Sequence, residues 1–173
     1  MKWGCFVAMS MAFVPMHAGS LASFDARDSI VFPANQAKTL LSQCSRHSPE
    51  NVTGTWYPTP TQIRELEERL PGPFSSTIKA QESRFHAALS PSQRSNRQYG
   101  GVIVGGRRLI YVNVFPHEIV EHAAEVGAMP YWEGNKTWKN TALMVCDGGP
   151  SFWGVLYDPD RKIFEDFQFN GYP

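Results

Sequence analysis

The segment His117-Glu118-Ile119-Val120-Glu121-His122 gathers metal-ligating and acid–base side chains more densely than any other part of the chain. A zinc helix of the H-E-x-x-H kind sets its histidines four apart, so that both imidazoles share one face and the Glu serves as base. Here the histidines are five apart, about 140° around a helix, and they diverge. His117 with Glu121, or Glu118 with His122, each makes a two-ligand face, and no third ligand is evident. The expectation is therefore no metal site, but a polar face on an Ala-rich helix. Cys44 with His47 offers a thiol and an imidazole, the pair a cysteine nucleophile needs. Such local spacing is common by chance, and a second cysteine in an oxidising compartment would consume the thiol. Glu67 and Glu68 are neighbours on a predicted helix, about 100° apart, and read as a solvated face rather than a carboxylate pair. Asp147 could do acid–base work with a distant histidine, while Ser151 lacks a G-x-S-x-G elbow. No phosphate-cradling glycine motif opens a helix: Gly100-Gly101 and Gly105-Gly106 read as hairpin glycines, and no helix follows Gly148-Gly149-Pro150. The balance leans against an enzyme and against a cofactor. For a hydrolase, His117, Glu121, His122 and Asp147 would be the first residues to test.

Binding chemistry is better represented. Between Ser83 and Pro116 lie five arginines, Arg84, Arg94, Arg97, Arg107 and Arg108, and no acid. From Thr141 to Pro173 there are five acids against two bases. Opposed charge of this kind orients partners more than it adds affinity, unless the two regions pair within the fold. Tyr131, Trp132 and Trp138 fall in a predicted loop beside Glu133, Lys136 and Lys139. Exposed Trp and Tyr near Arg is the composition of interface anchors; the same rings could stack on sugars, or fold back over a sheet edge. The candidate partner-binding residues are thus Tyr131, Trp132, Trp138, Arg94, Arg97, Arg107 and Arg108.

The 173 residues carry 16 basic and 16 acidic side chains, with 42% hydrophobic and 18% charged residues, against about 25% charged in an ordinary soluble domain. A disordered charged tail is excluded, and no basic excess argues for nucleic acid. Lys2, an apolar run from Trp3 to about Val14, Pro15, and then small residues to Ala22 follow the order of a secretory signal peptide. The run is too short for the roughly 20 residues of a membrane span. Cleavage after Ala22, with Ala18 as competitor, would remove Lys2 and Cys5 and leave 15 basic and 16 acidic residues. Two cysteines, Cys44 and Cys146, would remain, most simply as one disulfide in an oxidising compartment. Asn51 and Asn135 begin Asn-x-Thr sequons.

Positioning these groups requires a defined set of elements. After the leader, residues 23–29 read as a polar arm and residues 30–173 as one α+β domain. Ile30 to Phe32 reads as a brief strand. Ala37, Leu40, Leu41 and Cys44 recur at helical spacing, which turns Cys44 inward. Ser45 to Tyr57 reads as turn-rich. Thr59-Pro60-Thr61-Gln62 is a capping box ahead of the stripe Ile63, Leu66 and Leu70, with Glu65 and Arg69 placed to pair. A thinner helical pattern covers Ile78 to Leu89, and Ser90 to Gln98 is a polar loop. Tyr99 to Val104 and Arg107 to Phe115 form a hairpin about Gly105-Gly106, its second strand apolar on both faces and hence central. Pro116 to Gly127 reads as a helix, Thr141 to Cys146 as a strand, and Phe152 to Phe169 as a second hairpin. In the last strand Ile163, Glu165, Phe167 and Phe169 are expected on one face. The fold class is α+β: N-terminal helices on one face of an antiparallel sheet of two C-terminal hairpins, stapled by one disulfide.

These features describe a small exported protein, periplasmic or extracellular, without a membrane span in its mature form. Its expected role is protein binding, as an inhibitor or immunity-type neutraliser of an envelope or secreted enzyme. A carbohydrate- or cell-wall-binding module is the alternative, and a small hydrolase the third reading.

Overall fold

Two ten-residue strands, β3 (Ser95–Val104) and β4 (Arg107–Pro116), pair antiparallel along their whole length, from Ser95 opposite Pro116 to Val104 opposite Arg107. Gly105 and Gly106, at φ 55° and 78°, supply the turn between them, the left-handed pair that a type I′ hairpin demands. The computed structural model describes residues 26–72, 76–77, 95–121 and 137–171. The signal segment 1–22, the helical pattern over 78–89, Arg84, Arg94, His122, Tyr131, Trp132 and Asn135 lie outside the described residues.

On the far side of β4 come β5 (Trp153–Asp158) and β6 (Ile163–Phe169), the second hairpin. The free edge of β3 is shared by two short strands, β1 (Ser29–Val31), parallel to it, and β2 (Val52–Trp56), antiparallel. The fold is thus α+β around a mixed six-stranded sheet, wider than the two hairpins read from the sequence. Ser29, assigned to the polar arm, opens β1. β2 lies within the segment expected to be turns, where Gly54 breaks the alternation and a register shift falls between Val52 and Gly54.

Strand β4 determines what lies above and below the sheet. Ile110, Val112 and Val114 pack with Tyr99, Trp153, Val155 and Tyr157 under Ile63, Leu66 and Leu70 of helix α2 (Pro60–Arg69) and its C-terminal end. Leu109 and Tyr111, on the alternate face, pack with Val102, Leu156 and Phe32 under Leu40 and Leu41. The helices therefore lie on both faces, not on one as expected. A central strand apolar on both sides must be covered on both. The α2 capping box forms: Gln62 N donates to Thr59 Oγ1 (3.3 Å) and Thr59 N to Gln62 Oε1 (2.9 Å). Helix α1 (Ala34–Ala37) tightens into a 3-10 turn over Lys38–Leu41 and stops there. Ala37, Leu40 and Leu41 are buried as their spacing requires, whereas Cys44 lies past the helix and is exposed. Gln43 ends the turn by folding back, its Nε2 donating to Leu40 O at 3.1 Å.

Two local features depart further from simple alternation. Gly154 pairs with Gln168 and Leu156 with Glu165, so β6 carries one extra residue, Asp166, at φ 55°. This bulge resets the register, and Phe164, Phe167 and Phe169 all join the α2 face, in place of the expected set led by Ile163 and Glu165. Phe167 stacks on Trp153 at 4.9 Å between ring centres. Residues 141–146, expected as a strand, form no ladder; they cross the sheet face, held by side chains described below. The predicted helix after Pro116 begins with α3 (Glu118–Glu121). Among the described residues no helix is long and apolar enough to cross a membrane.

Candidate functional site

One cross-strand row on the face opposite α2 is polar. Gln98, Asn113, Gly154 and Gln168 lie side by side across β3, β4, β5 and β6. Gln98 and Asn113 are fully or almost fully buried. A buried amide costs free energy unless its hydrogen bonds are made, and here they are made to the backbone of a chain segment lying on the sheet. Gln98 Nε2 donates to Trp138 O (2.5 Å) and Thr141 O (2.8 Å), while its Oε1 accepts from Leu143 N (3.0 Å). Asn113 Nδ2 donates to Gln98 Oε1 (3.0 Å) and Leu143 O (2.9 Å). Residues 138–143 thus need no strand partner, which explains why an apolar run with strand composition stays irregular. Ser95 to Gln98, read as loop because it lacks apolar residues, is strand: its inward Gln98 holds the docked segment, and its inward Asn96 lies against His117.

The same device holds the segment after α1. Gln43 Nε2 reaches Leu143 O (3.1 Å), and the Gln168 amide exchanges two bonds with the His47 backbone, N to Oε1 at 2.6 Å and Nε2 to O at 3.2 Å. Asn170 Nδ2 donates to Val145 O (2.6 Å) and Asp147 O (2.9 Å). Cys44 and Cys146 then join the two segments covalently, with 4.9 Å between their Cα atoms across 102 residues of sequence. Loops 42–48 and 142–148 are consequently one pinned pair, outside which His47, Met144 and Asp147 are exposed. The disulfide also leaves Cys44 no thiol to pair with His47.

Arg46 occupies the gap in the amide row. Its Nη2 donates to Asn113 Oδ1 at 2.6 Å, and its guanidinium lies 6.0 Å from the Tyr111 ring centre. It is only 7% exposed. A Cβ on Gly154 would come within 2.5 Å of both Arg46 Nη1 and Tyr111 Oη, so the bare glycine is what lets the guanidinium lie against the strand. Burial lowers the Arg46 pKa and raises that of Tyr111, the latter against the opposing pull of Arg46.

The residues singled out in the sequence are distributed differently. Trp138 is buried at 7%, edge-on to Phe115 with ring centres 5.9 Å apart, and is not an exposed anchor. Arg107 forms a two-pronged bond to Glu165 (2.7 and 3.0 Å) and reaches Asp158 at 3.3 Å. Arg108 lies over the Trp56 ring at 5.0 Å and 4.0 Å from Asp160. These two arginines therefore pair with the acidic end inside the fold. Arg97 pairs with Glu67 at 3.4 Å, and Glu67 also accepts from Tyr99 Oη at 2.7 Å. Glu67 is accordingly an anchor of α2 and not part of a solvated face. His117 Nδ1 sits 3.2 Å from Asn96 Oδ1 and 3.7 Å from Asp28 Oδ1. Among the described residues no group of three His, Cys, Asp or Glu is placed to hold a metal.

Arg46, Gln98, Asn113, Gln168 and Gly154 escaped the sequence reading. One signal was available: Asn113 shares its strand face with Leu109, Tyr111 and Phe115, and a lone amide among apolar neighbours on an inward face needs a partner. Compared with protein families, curated proteins and solved structures, the chain matches none of them.

Proposed function

We propose that the chain is an exported protein that acts by binding another protein, as an inhibitor or immunity-type neutraliser of an envelope or secreted enzyme. The observation that carries this reading is the pinned pair of loops, 42–48 and 142–148, joined by the disulfide and by amide side chains to a rigid sheet. Loops ordered before docking lose little conformational freedom on binding, which is how rigid inhibitors gain affinity. Met144, 39% exposed between the two anchored ends, offers an adaptable apolar contact. A disulfide persists in an oxidising compartment, in keeping with the leader-like N-terminus. Tagged protein incubated with the native envelope or secreted fraction is expected to recover one protein in stoichiometric amount. A Met144→Asp variant with unchanged circular dichroism should recover less. Recovery of no protein, or equal recovery by the variant, would count against the reading.

Glycan binding is the second reading, and one observation favours it. Tyr57 presents an aromatic ring 59% exposed at the end of β2, on which a sugar ring could stack. Retention on insoluble glycan, lost in Tyr57→Ala and without a protein partner, is the outcome it requires.

A further inference from the structure

We propose that Cys44 and Cys146 are a reversible redox pair, which exchanges with dithiols and keeps its place in the fold in both states.

Two properties set this bond apart from a buried staple. Cys44 and Cys146 are both exposed, so a thiolate in solution has access to them. The segments that carry them are also held without the bond. Gln43, the residue before Cys44, donates from Nε2 to Leu143 O at 3.1 Å. The Gln168 amide grips the His47 backbone at 2.6 and 3.2 Å. Around Cys146 a single amide acts on both sides, as Asn170 Nδ2 donates to Val145 O at 2.6 Å and to Asp147 O at 2.9 Å. Asn113 and Gln98 hold the two backbone groups of Leu143. None of these bonds passes through sulfur, so all of them survive when the disulfide opens. The two thiols then stay side by side, on residues whose Cα atoms lie 4.9 Å apart in the oxidised protein.

That arrangement selects the chemistry of the reductant. An incoming thiolate attacks one sulfur, forms a mixed disulfide and releases the other cysteine as a thiolate. With a monothiol such as glutathione, the released cysteine stands beside the mixed disulfide and expels the monothiol before a second one arrives. A dithiol carries its second thiol with it. This thiol attacks the reductant's own sulfur in the mixed disulfide, closes the reductant's disulfide and frees the second cysteine. Two electrons and two protons have then passed to Cys44 and Cys146, and the reductant leaves oxidised. Run in reverse, the clamped dithiol reduces a disulfide of the same class. Since the clamps confine the reduced pair, closing the bond removes little further conformational freedom. The oxidised form is thereby favoured, and the reduced pair passes its electrons on.

The test uses the full chain, isotopically labelled, in native buffer with mixtures of reduced and oxidised dithiothreitol. Alkylation and peptide mass mapping read Cys44 and Cys146 separately from Cys5. Reduction is expected without denaturant, and oxidised dithiothreitol should restore the Cys44–Cys146 bond alone. In the reduced protein, nuclear Overhauser contacts of the His47 amide with Gln168 and of the Leu143 amide with Gln98 should persist. Glutathione at equal thiol concentration should open roughly tenfold less of the bond. Gln168→Ala removes the clamp beside Cys44 and should shift the dithiothreitol equilibrium roughly tenfold toward the dithiol, about the worth of one hydrogen bond. If Gln168→Ala fails to fold, the measurements on the parent protein still decide. A bond that opens only in denaturant, or loss of either amide contact on reduction, overturns the assignment. So does equal reduction by glutathione, or an equilibrium unchanged in a folded Gln168→Ala.

Discussion

Arg46 and Tyr99 illustrate two ways of burying a polar group on this sheet. The Tyr99 hydroxyl donates to Glu67, which also pairs with Arg97, so one carboxylate joins α2 to β3. Burial first, and then Glu67, hold the Tyr99 phenol well above its ordinary range. A raised pKa contributes stability that is complete below the unfolded value of about 10 and is lost as pH rises toward the folded one. Tyr99→Phe is therefore expected to cost about 1–2 kcal/mol near neutrality and to flatten the alkaline loss of stability, as read by urea unfolding from pH 8 to 11. Gly154→Ala probes the other case. Its Cβ would contact Arg46 Nη1 and Tyr111 Oη, and displacing both should cost about 1–3 kcal/mol in the same assay. Neither site could be derived from the sequence. Glu67 was indistinguishable from its exposed neighbour Glu68 until the sheet supplied Tyr99 and Arg97, and nothing local to Gly154 indicates that a residue 108 positions earlier lies against it.

At the scale of elements, legibility follows the range of the interactions. The α2 cap, its Glu65–Arg69 pair at 3.4 Å and the Gly105-Gly106 turn are set by residues within a few positions of one another, and each formed as read. Strand β2 and the run from Thr141 to Cys146 depend on partners 30 or more residues away; the first was read as turns and the second as a strand. The β6 bulge is intermediate, since one residue at φ 55° decides which aromatics face the core. Deleting Asp166 removes the extra residue and leaves Phe164, Phe167 and Phe169 on the α2 face by plain alternation, so the core aromatics are expected to stay in place and stability to change by less than about 2 kcal/mol. Asp166→Gly keeps the count and relieves the left-handed backbone, and should change stability by less than about 1 kcal/mol. Denaturation followed by Trp153 fluorescence checks both, because Trp153 stacks on Phe167 and its emission should survive each change.

For the whole molecule, the basic middle and the acidic end meet within the fold through two of the described arginines, Arg107 with Asp158 and Glu165, and Arg108 with Asp160. The Cys44–Cys146 bond, read correctly from a count of two, closes a loop of 102 residues, for which chain entropy gives about 4–5 kcal/mol as an upper figure. Replacing both cysteines with serine should lower stability by up to that amount. It should also speed proteolysis within 42–48 and 142–148 before the sheet, which mass spectrometry of early fragments would reveal.

The amide row also bears on which sulfurs meet. The β3–β4 hairpin pairs neighbours in sequence, whereas the two cysteines, 102 residues apart, are held together by amides of the sheet and its flanks: Gln98 and Asn113 receive residues 138–143, and Gln43, Gln168 and Asn170 hold the adjoining segments. Sulfur pairing is therefore templated by a finished sheet. The three cysteines of the sequence allow three pairings, and the amides hold the segments of Cys44 and Cys146 together. The oxidised bond then serves as a record that the strands beneath it assembled in register.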